Sequence, residues 1–362
     1  MAEIENRFII AAAGSGKTET IVNAALSYNG RVLVTTYTDN NTDEIKRRIF
    51  KKNSVMPSHI EVLPWFTFLL NHFIKPYQDI FCPQDIRGVE MVSSQSTIFK
   101  NKQSISFYIN NERKIYSDKI AALACKLNQD LNGAIINTLA EIYSYIIIDE
   151  VQDLAGYDLE MLEMLASSRK FNFLCVADPR QCVYCTSNNS KNKKYKKQIV
   201  EFLRNRCASM FVVDDNSLNV NHRCIQAICD LSNELYPTLK SVNSDVIISA
   251  DNHYGIYFVR KEHIPDYIKR YQPVQLRWNN QTVSSNLSPV YNMGLVKGMA
   301  FDRVLIYPTQ NMLKWFQSEM NINSDETRAK LYVALTRARY SVAIVCDGEI
   351  VDNAHGINIF KP

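Results

Sequence analysis

The segment Ala11–Thr18, AAAGSGKT, constrains the fold of this chain more than any other stretch of its sequence. It follows the apolar run Phe8–Ile10 directly and precedes residues with helical spacing, so it predicts a strand, a glycine loop and the start of a helix. The backbone N–H groups of such a loop converge on an anion, and the helix N-terminus adds positive potential. The pattern therefore predicts a phosphate-binding loop, with a tight strand-to-helix turn as the alternative. Ala11 occupies the position of the usual first glycine.

Two side chains of this segment have specific expected roles. Lys17 is expected to reach the β- and γ-phosphates of a nucleotide, and the Thr18 hydroxyl to ligate Mg²⁺. The residues that we expect to contact the nucleotide here are Ala13, Gly14, Ser15, Gly16, Lys17, Thr18 and Glu19.

A pair of acids follows a second apolar run. Tyr145–Asp149 is apolar on both faces, as a buried parallel strand should be, and Glu150 comes next. An acid at the carboxyl end of a strand beside a phosphate loop is where a nucleotide-hydrolysing enzyme holds its metal. We expect Asp149 to bind Mg²⁺ and Glu150 to act as general base toward the attacking water. The alternative is a pair of surface acids at a strand end.

Composition excludes several classes of protein. At 362 residues, 46% apolar and 22% charged, the chain is long enough for two or three globular domains. The net charge of +4 allows a nucleic-acid partner without indicating one. The start of the sequence does not have the pattern of a signal peptide, and no apolar run approaches the roughly 20 residues that span a bilayer. Nine cysteines without regular spacing predict free thiols, so we expect a cytoplasmic protein without a membrane partner.

Short apolar runs alternate with helical stretches, which predicts an α/β fold with parallel sheets covered by helices. The predicted strands are 8–10, 31–36, 145–149, 171–176, 210–213, 256–259, 274–276, 303–307 and 342–346. The predicted helices are 41–50, 118–127, 224–235, 264–271 and 326–336. We expect one lobe at residues 1–210, with a small insertion at about 75–135, and a second lobe at 211–362.

Three polar residues further along could complete a nucleotide site. Gln181 follows a predicted strand and has the reach to sense a γ-phosphate or orient water. Arg223 opens a helix and Arg337 ends another. An arginine that crosses from one lobe to a nucleotide on the other stabilises charge on the γ-phosphoryl group and makes hydrolysis depend on lobe closure. Solvated arginines at helix ends are the alternative.

The order of these motifs resembles that of the superfamily-1 helicases of the UvrD/Rep/PcrA type over nearly the whole chain. The motifs are AAAGSGKT at 11–18, VTTYTDNNTDEIKRRI at 34–49, WFTF at 65–68, IIIDEVQD at 146–153, VADPRQCVY at 176–184, NHR at 221–223, VKGMAFDRVLI at 296–306 and YVALTRAR at 332–339. Several of these motifs match the family only loosely when taken singly, but their order along the chain is specific to it.

The resemblance implies two RecA-like lobes of the P-loop NTPase class, with ATP and Mg²⁺ as cofactors. In it, Arg223 and Arg337 are arginine fingers, Gln181 couples the γ-phosphate to the DNA path, and Gly298 lies in a loop linking nucleotide and nucleic acid. His222 occupies the position of the residue that stacks on the nucleotide base. The implied nucleic-acid contacts are Thr36, Tyr37, Thr38, Thr67, Tyr184 and Asn292. Tyr37 could stack on a base, or pack inward as an ordinary strand-end aromatic.

Departures from the family pattern weaken the expected contacts to the nucleotide and to DNA. His222 replaces a tyrosine, Ala300 replaces a ribose-contacting glutamate, and there is no room for an adenine-reading glutamine motif before the first strand. We therefore predict relaxed nucleotide selectivity, with ATP as the default. On the DNA side, Thr186 stands where the family has a tryptophan, and Gly294 where it has a histidine. The lysine run 191–197 could compensate electrostatically or be a solvated face.

Two functional hypotheses follow from the resemblance. The first is an ATP-dependent DNA helicase or translocase that moves 3′ to 5′ on single-stranded or partly duplex DNA. The second is a nucleotide-gated regulatory or sensor subunit that does not unwind DNA by itself. It resembles the short UvrD-like subunits that accompany a nuclease in antiphage defence systems such as Gabija, because the sequence has no room for a 2B domain. A metabolic P-loop kinase is disfavoured, since it needs only one lobe.

Overall fold

The computed structural model describes residues 5–183, 191–248, 253–318, 320–347 and 354–362. Their contacts divide the chain into two compact units. The first unit comprises the described residues of Met1–Ile10, Lys17–Pro179 and Tyr184–Asp214. The second comprises those of Ala11–Gly16, Arg180–Val183 and Asp215–Pro362.

The first unit is built on a parallel sheet. Its strands in chain order are β1 (Asn6–Ile10), β2 (Val32–Thr36), β3 (Ile60–Pro64), β4 (Gly88–Glu90), β5 (Lys114–Tyr116), β6 (Tyr145–Ile148), β7 (Asn172–Ala177) and β8 (Val212–Asp214). Within the described residues, six of them form one sheet in the order β3-β2-β6-β7-β1-β8, and β4 pairs with β5 separately. All pairs in the main sheet are parallel. Strands β2 and β6 lie inside the sheet and read VLVTT and YIII, because both of their faces are covered.

The second unit contains another parallel sheet. Its strands are β9 (Val220–Asn221), β10 (Asn243–Ser244), β11 (Gly255–Arg260), β12 (Val274–Arg277), β13 (Val290–Asn292), β14 (Phe301–Ile306), β15 (Ala338–Cys346) and β16 (Asn358–Ile359). Among the described residues, the sheet order is β13-β12-β14-β15-β11-β16, all parallel, with β9 and β10 forming a small separate pair. The predicted α/β class with two parallel sheets is therefore confirmed.

Helices connect the strands of both sheets. The α-helices are α1 (Lys17–Ser27), α2 (Asp39–Asn53), α3 (Trp65–Leu69), α4 (Gln78–Phe81), α5 (Ile105–Tyr108), α6 (Ile120–Asp130), α7 (Ala134–Ile142), α8 (Tyr157–Ser167), α9 (Ile199–Arg206), α10 (Gln226–Glu234), α11 (Ile264–Tyr271), α12 (Gln310–Phe316) and α13 (Asp325–Leu335). Leu70–Ile74 is a π-helix, and short 3-10 segments are Lys75–Tyr77, Ser117–Lys119, Val151–Asp153, Pro179–Gln181, Lys193–Tyr195, Lys261–His263, Met293–Val296 and Ala354–Gly356. None of the helices in the described part of the chain is both long and apolar enough to cross a membrane.

Two segments pair or pack differently from expectation. The run at 210–213 was expected to begin the second series of strands, but β8 pairs with β1 at the edge of the first sheet, Phe8 beside Val213. Helix α6 was expected inside the insertion, yet Ile120, Leu123 and Leu127 are fully buried in the main hydrophobic core of the first unit. Both differences arise because short apolar runs do not identify their packing partner.

The eight cysteines in the described residues are all buried and unpaired by disulfides. Burial raises the pKa of the Cys175 thiol well above its usual value, and that of Cys207 to about 12. A thiol that resists ionisation is a poor nucleophile and metal ligand. These cysteines therefore act as small apolar core residues, as the sequence predicted. Cys185 lies outside the described residues.

The half-buried side chain of His253 leads to the first testable prediction, which is destabilisation by acid. The His253 ring stacks between Tyr257 and Tyr271, with centroid distances of 4.3 and 3.7 Å, and its Nε2 lies 3.0 Å from the Tyr267 hydroxyl. Burial, helped by Arg303 and Arg270, lowers the pKa of His253 to about 4. An unfolded histidine titrates near 6.5, so below that pH the unfolded state binds more protons than the folded state.

We therefore expect the free energy of unfolding to fall as the pH drops from about 6.5 toward 4, as linkage requires. Urea unfolding at several pH values measures this slope. His253→Gln should flatten it, and equal slopes in the two proteins would contradict the assignment. His72, whose pKa burial also lowers, contributes in the same direction, so the slope should be reduced in His253→Gln and not abolished.

Candidate active site

The carboxyl ends of the central strands of the first unit carry the expected acids. Ile10 pairs with Ala177 and Ile148 pairs with Cys175, so β1, β6 and β7 end at one edge of the sheet. Asp149 follows β6, and Asp178 follows β7. Ligands of open parallel sheets bind at this edge.

Lys17 begins helix α1 and points to a buried carboxylate. Its Nζ lies 3.8 Å from Asp178 Oδ2, with Lys17 11% and Asp178 0% exposed at the side chain. Thr18 follows as the second residue of the helix. Glu19, third in the helix, instead bonds Lys52 of α2, which lowers the pKa of the Glu19 carboxyl. The structure thus places Lys17 at an anionic partner and ties Glu19 to the neighbouring helix.

Asp149 and Glu150, the acids that follow β6, are held by a hydrogen-bond network. The Asp149 N–H donates to Thr35 O at 2.9 Å, and Asp149 Oδ1 accepts the Glu150 N–H at 2.9 Å. Gln152 donates from Nε2 to Glu150 Oε2, and its Oε1 accepts the Asp178 N–H at 3.0 Å. Sequence reasoning quoted the motifs containing Gln152 and Asp178 but gave neither residue a role. Asp178 directly follows β7 and Gln152 lies in the 3-10 segment Val151–Asp153 after β6, positions that a single sequence does not separate from an ordinary turn.

Asp149 and Thr18 fit a Mg²⁺ ion as expected ligands. Asp149 is 6% exposed, and its carboxylate is a hard oxygen donor. Within the described residues, no group of three or more His, Cys, Asp or Glu side chains is placed to hold a metal. Mg²⁺ in phosphoryl-transfer sites takes one or two protein ligands and completes its shell with phosphate and water, which matches this donor set.

The glycine loop 11–16 packs within the second unit. Gly14 and Gly16 have φ of +74° and +86°, in the left-handed region. A Cβ on Gly14 would lie 2.5 Å from Asn221 Oδ1, so no larger residue fits there. The Gly14 carbonyl accepts the His222 N–H at 3.0 Å, the Ser15 hydroxyl donates to Ala12 O at 2.8 Å, and the Ala13 N–H donates to the Tyr332 hydroxyl at 3.3 Å.

The segment at 221–223 is organised by Asn221. Its Oδ1 accepts the N–H groups of Arg223 and Cys224, at 2.7 and 2.8 Å. Arg223 is partly buried and donates from Nη1 to Thr336 O at 3.2 Å. The His222 side chain is 56% exposed, with Nδ1 2.7 Å from Asp245 Oδ2. The structure thus connects Arg223 to the residue directly before Arg337 and leaves much of the His222 ring accessible.

Arg337 is 1% exposed and is held from several directions. It donates from Nε to Val333 O at 3.2 Å, from Nη1 to Met299 O at 3.1 Å, and from Nη2 to Gln181 Oε1 at 3.3 Å. Gly298, with φ of +87°, directly precedes Met299. Three residues singled out separately in the sequence, Gln181, Gly298 and Arg337, therefore belong to one local network.

The candidate nucleic-acid residues of the first unit follow β2 and β3. Thr36 ends β2 and pairs with Pro64, so the two strand ends are adjacent. The Tyr37 ring meets Phe66 edge to face at 5.8 Å, and Thr38 caps helix α2 by accepting the Asn41 N–H at 3.2 Å. Thr67 lies in α3, directly after β3, and both Tyr37 and Thr67 are partly exposed. Thr36 is only 1% exposed, and its Oγ1 accepts a hydrogen bond from Asn41 Nδ2 at 3.4 Å, so the partly exposed groups here are Tyr37, Thr38 and Thr67.

The remaining nucleic-acid candidates are Asn292, Tyr184 and the lysine run 191–197. Asn292 ends β13, and its Oδ1 accepts a hydrogen bond from Arg277 Nε at 3.3 Å. Tyr184 lies outside the described residues, as does Thr186. In the lysine run, Lys191 pairs with Glu160 at 2.8 Å, and this bond raises the pKa of Lys191. One positive charge of the run is thus balanced by an acid, while Lys193 and Lys194 are exposed.

Comparison with known proteins adds a family match and a fold match. Residues 2–72 and 94–198 match the profile of the UvrD/REP helicase N-terminal domain. No curated protein gives a significant sequence match. The chain is similar in fold to the arterivirus nonstructural protein 10 helicase, with a TM-score of 0.50 and 16% identity over 96% of this chain and 61% of that one. The complex of arterivirus nonstructural protein 10 with DNA gives a TM-score of 0.50 and 15% identity over 97% and 63%. This chain therefore spans less than two thirds of the length of either structure.

Proposed function

We propose, because the chain belongs to the UvrD-like superfamily-1 helicases, that it is an ATP-dependent DNA translocase or helicase. The observation that carries the proposal is the network at the carboxyl edge of the first sheet. There Lys17, a cation suited to a triphosphate, pairs with Asp178, and Gln152 connects Asp178 to Glu150. A phosphate-binding cation and a carboxylate base in one connected network are what nucleotide hydrolysis requires.

In this proposal hydrolysis is an in-line attack of water on the γ-phosphorus: the new P–O bond forms as the bond to the bridging β,γ-oxygen breaks, and ADP leaves with that oxygen. Glu150 accepts a proton from the attacking water as it adds to phosphorus. Lys17 leaves Asp178 and neutralises phosphate oxygens. Arg223 and Arg337 balance the charge that develops on the γ-phosphoryl group. Mg²⁺, held by Asp149 and Thr18, supplies further neutralisation of phosphate charge when bound.

We further propose that Gln181 reports the state of the phosphates. Its side chain already accepts a hydrogen bond from Arg337, and Arg337 also bonds the loop that follows Gly298. A change in the charge facing Arg337 would therefore reach both Gln181 and that loop through these hydrogen bonds.

The proposed nucleotide selectivity is relaxed. His222 offers a smaller ring than tyrosine for stacking on a base, and Ala300 offers no hydrogen bond to a ribose. ATP remains the proposed substrate, with other nucleoside triphosphates accepted.

Single-stranded DNA is the proposed partner, and 3′ to 5′ the proposed direction. Tyr37 and Phe66, joined edge to face, form a surface on which a base could stack, which is worth about 1–3 kcal/mol per base. The hydroxyls of Thr38 and Thr67 are of the type that bonds backbone phosphates, whereas Thr36 is 1% exposed and less available to a strand. The structural neighbour in complex with DNA supports the same partner class.

A nucleotide-gated regulatory subunit is the second candidate. It is favoured by the Asn292 side chain, which bonds Arg277 within the second unit and so is already engaged. Thr186 and Gly294 replace a family aromatic and a family histidine, which further weakens the grip on a strand. In this role the protein would hydrolyse nucleotide in response to a protein, such as a nuclease of a defence system, and would not separate strands.

The test of the proposed function measures turnover and strand separation together. We expect Mg²⁺-dependent ATP hydrolysis that rises severalfold with single-stranded DNA, and displacement of a strand from a duplex with a 3′ tail. A 5′-tailed duplex is the control for direction, and EDTA the control for the metal. Hydrolysis that ignores DNA and never separates strands would support the regulatory subunit. Absence of hydrolysis with any nucleoside triphosphate would exclude both.

A further inference from the structure

We propose that Gln152 is a positioning residue that fixes the carboxylate of Glu150 and links it to the partner of Lys17. This inference rests on the proposed function, because it concerns how the general base is held. Neither the sequence analysis nor the family match assigns a role to Gln152.

The first observation is the pair of hydrogen bonds that Gln152 makes in opposite directions. Its amide Nε2 donates to Glu150 Oε2, and its Oε1 accepts the Asp178 N–H at 3.0 Å. Gln152 is 1% exposed, so water does not compete for these bonds. A side chain with only donors or only acceptors could not make both contacts.

The second observation is the backbone of Glu150. Its φ and ψ of +56° and +39° lie in the left-handed region, which is unfavourable for a residue other than glycine. Such a conformation persists only where surrounding contacts determine it. The Glu150 N–H bonds Asp149 Oδ1, the Glu150 carbonyl accepts the Asp153 N–H at 2.9 Å, and Gln152 holds the carboxylate.

The third observation is the continuation of this network to the glycine-loop lysine. Asp178, whose backbone Gln152 holds, has its carboxylate 3.8 Å from Lys17 Nζ. A nucleotide that draws Lys17 away from Asp178 would change the contacts of Asp178. The Asp178 N–H bonds the same Gln152 side-chain amide that orients Glu150. The geometry therefore lets Gln152 align the base with the arrival of phosphate.

The charged groups around this amide sharpen the test. Glu150 has Asp149 and Asp153 near it in the chain, and Asp178 and Lys17 in its network. Gln152→Glu keeps the shape and the acceptor for Asp178, but it replaces the donor that faces Glu150 with a second carboxylate. Two carboxylates at hydrogen-bond distance cannot both ionise readily.

We expect Gln152→Glu to lower kcat by about tenfold or more, because Glu150 loses its hydrogen-bond donor and faces a second carboxylate that repels it from the position that Gln152 holds. Gln152→Met, which removes both bonds without adding charge, should also lower kcat, but by less. Nucleotide affinity should stay close to native in both, so that the loss falls on kcat and not on KM.

Gln129→Glu provides the matched control, because Gln129 is exposed on helix α6 and the same charge is added. It should turn over nucleotide at the native rate. A folded Gln152→Glu variant with native kcat would overturn the inference. So would a Gln152→Met variant that is folded by thermal unfolding and turns over at the native rate.

A measurement that needs no turnover separates this inference from the proposed function. In native protein with ¹⁵N-labelled glutamine, the Gln152 side-chain amide is identified by its loss in Gln152→Met. Its resonance should move in Glu150→Gln, because the carboxylate that it bonds has become an amide. A Gln152 amide that is unchanged by Glu150→Gln would overturn the inference even in an active enzyme. An amide that moves in a protein without turnover would leave the contact standing and remove the proposed reaction.

Discussion

Arg337→Lys is expected to lower the turnover of ATP by about 10³-fold or more, the range typical of an arginine that stabilises a phosphoryl-transfer transition state. The lysine keeps the charge but loses the planar fork of donors. In the native protein this fork donates separately to Val333, Met299 and Gln181. A single ammonium group cannot maintain these bonds and also meet a phosphate. Steady-state hydrolysis at saturating ATP measures the effect.

Arg339→Lys is the matched control for that experiment. Arg339 lies two residues further along, is 48% exposed and pairs with Asp302 at 2.9 Å. An exposed ion pair of this kind contributes about 0–1 kcal/mol, so turnover and thermal stability should stay close to native. Thermal unfolding of Arg337→Lys shows whether the buried site still folds. A folded Arg337→Lys protein with turnover within a few-fold of native would refute the role of Arg337.

Glu150→Gln is expected to lower turnover by about 10²–10⁴-fold, because the amide cannot accept the proton of the attacking water. The substitution preserves shape, so nucleotide binding should stay close to native. Pre-steady-state hydrolysis together with equilibrium binding of a fluorescent nucleotide separates the two effects. Weakened binding with an unchanged rate constant would mean that Glu150 holds ligand and is not the base.

Glu141→Gln removes a similar acid from an exposed position of helix α7 and serves as its control. It should hydrolyse ATP at the native rate. A loss of activity in Glu141→Gln would indicate that general surface charge, and not the position of Glu150, governs turnover.

The sequence was sufficient to predict the class of fold and the strands that carry the site. Apolar runs at 145–149 and 171–176 became β6 and β7, because strands buried on both faces are recognisable by composition alone. The edge strand β3, IEVLP, was missed, since it is only partly buried and ends in a proline, which a ladder tolerates best at an edge. Strand β8 was detected but given to the wrong sheet, because pairing depends on contacts far apart in sequence.

The site could be predicted residue by residue but not as a network. Lys17, Asp149 and Glu150 were identified from motif spacing. The amide of Gln152 and the carboxylate of Asp178 were not assigned roles, because their importance lies in hydrogen bonds between strands distant in sequence. Glu19 shows the converse, since its place beside the loop suggested a ligand contact while its carboxylate bonds Lys52. The roles of all these residues toward a nucleotide stay predictions.

The left-handed backbone at Glu150 limits the thermal stability that this protein can reach while it keeps the proposed hydrolysis of nucleotide. Glycine or asparagine would relieve the unfavourable torsion angle, but neither offers a carboxylate to take a proton. Selection for robustness and selection for speed therefore oppose each other at one position. A descendant that no longer hydrolysed nucleotide could carry glycine or asparagine at this position and would gain thermal stability from the substitution.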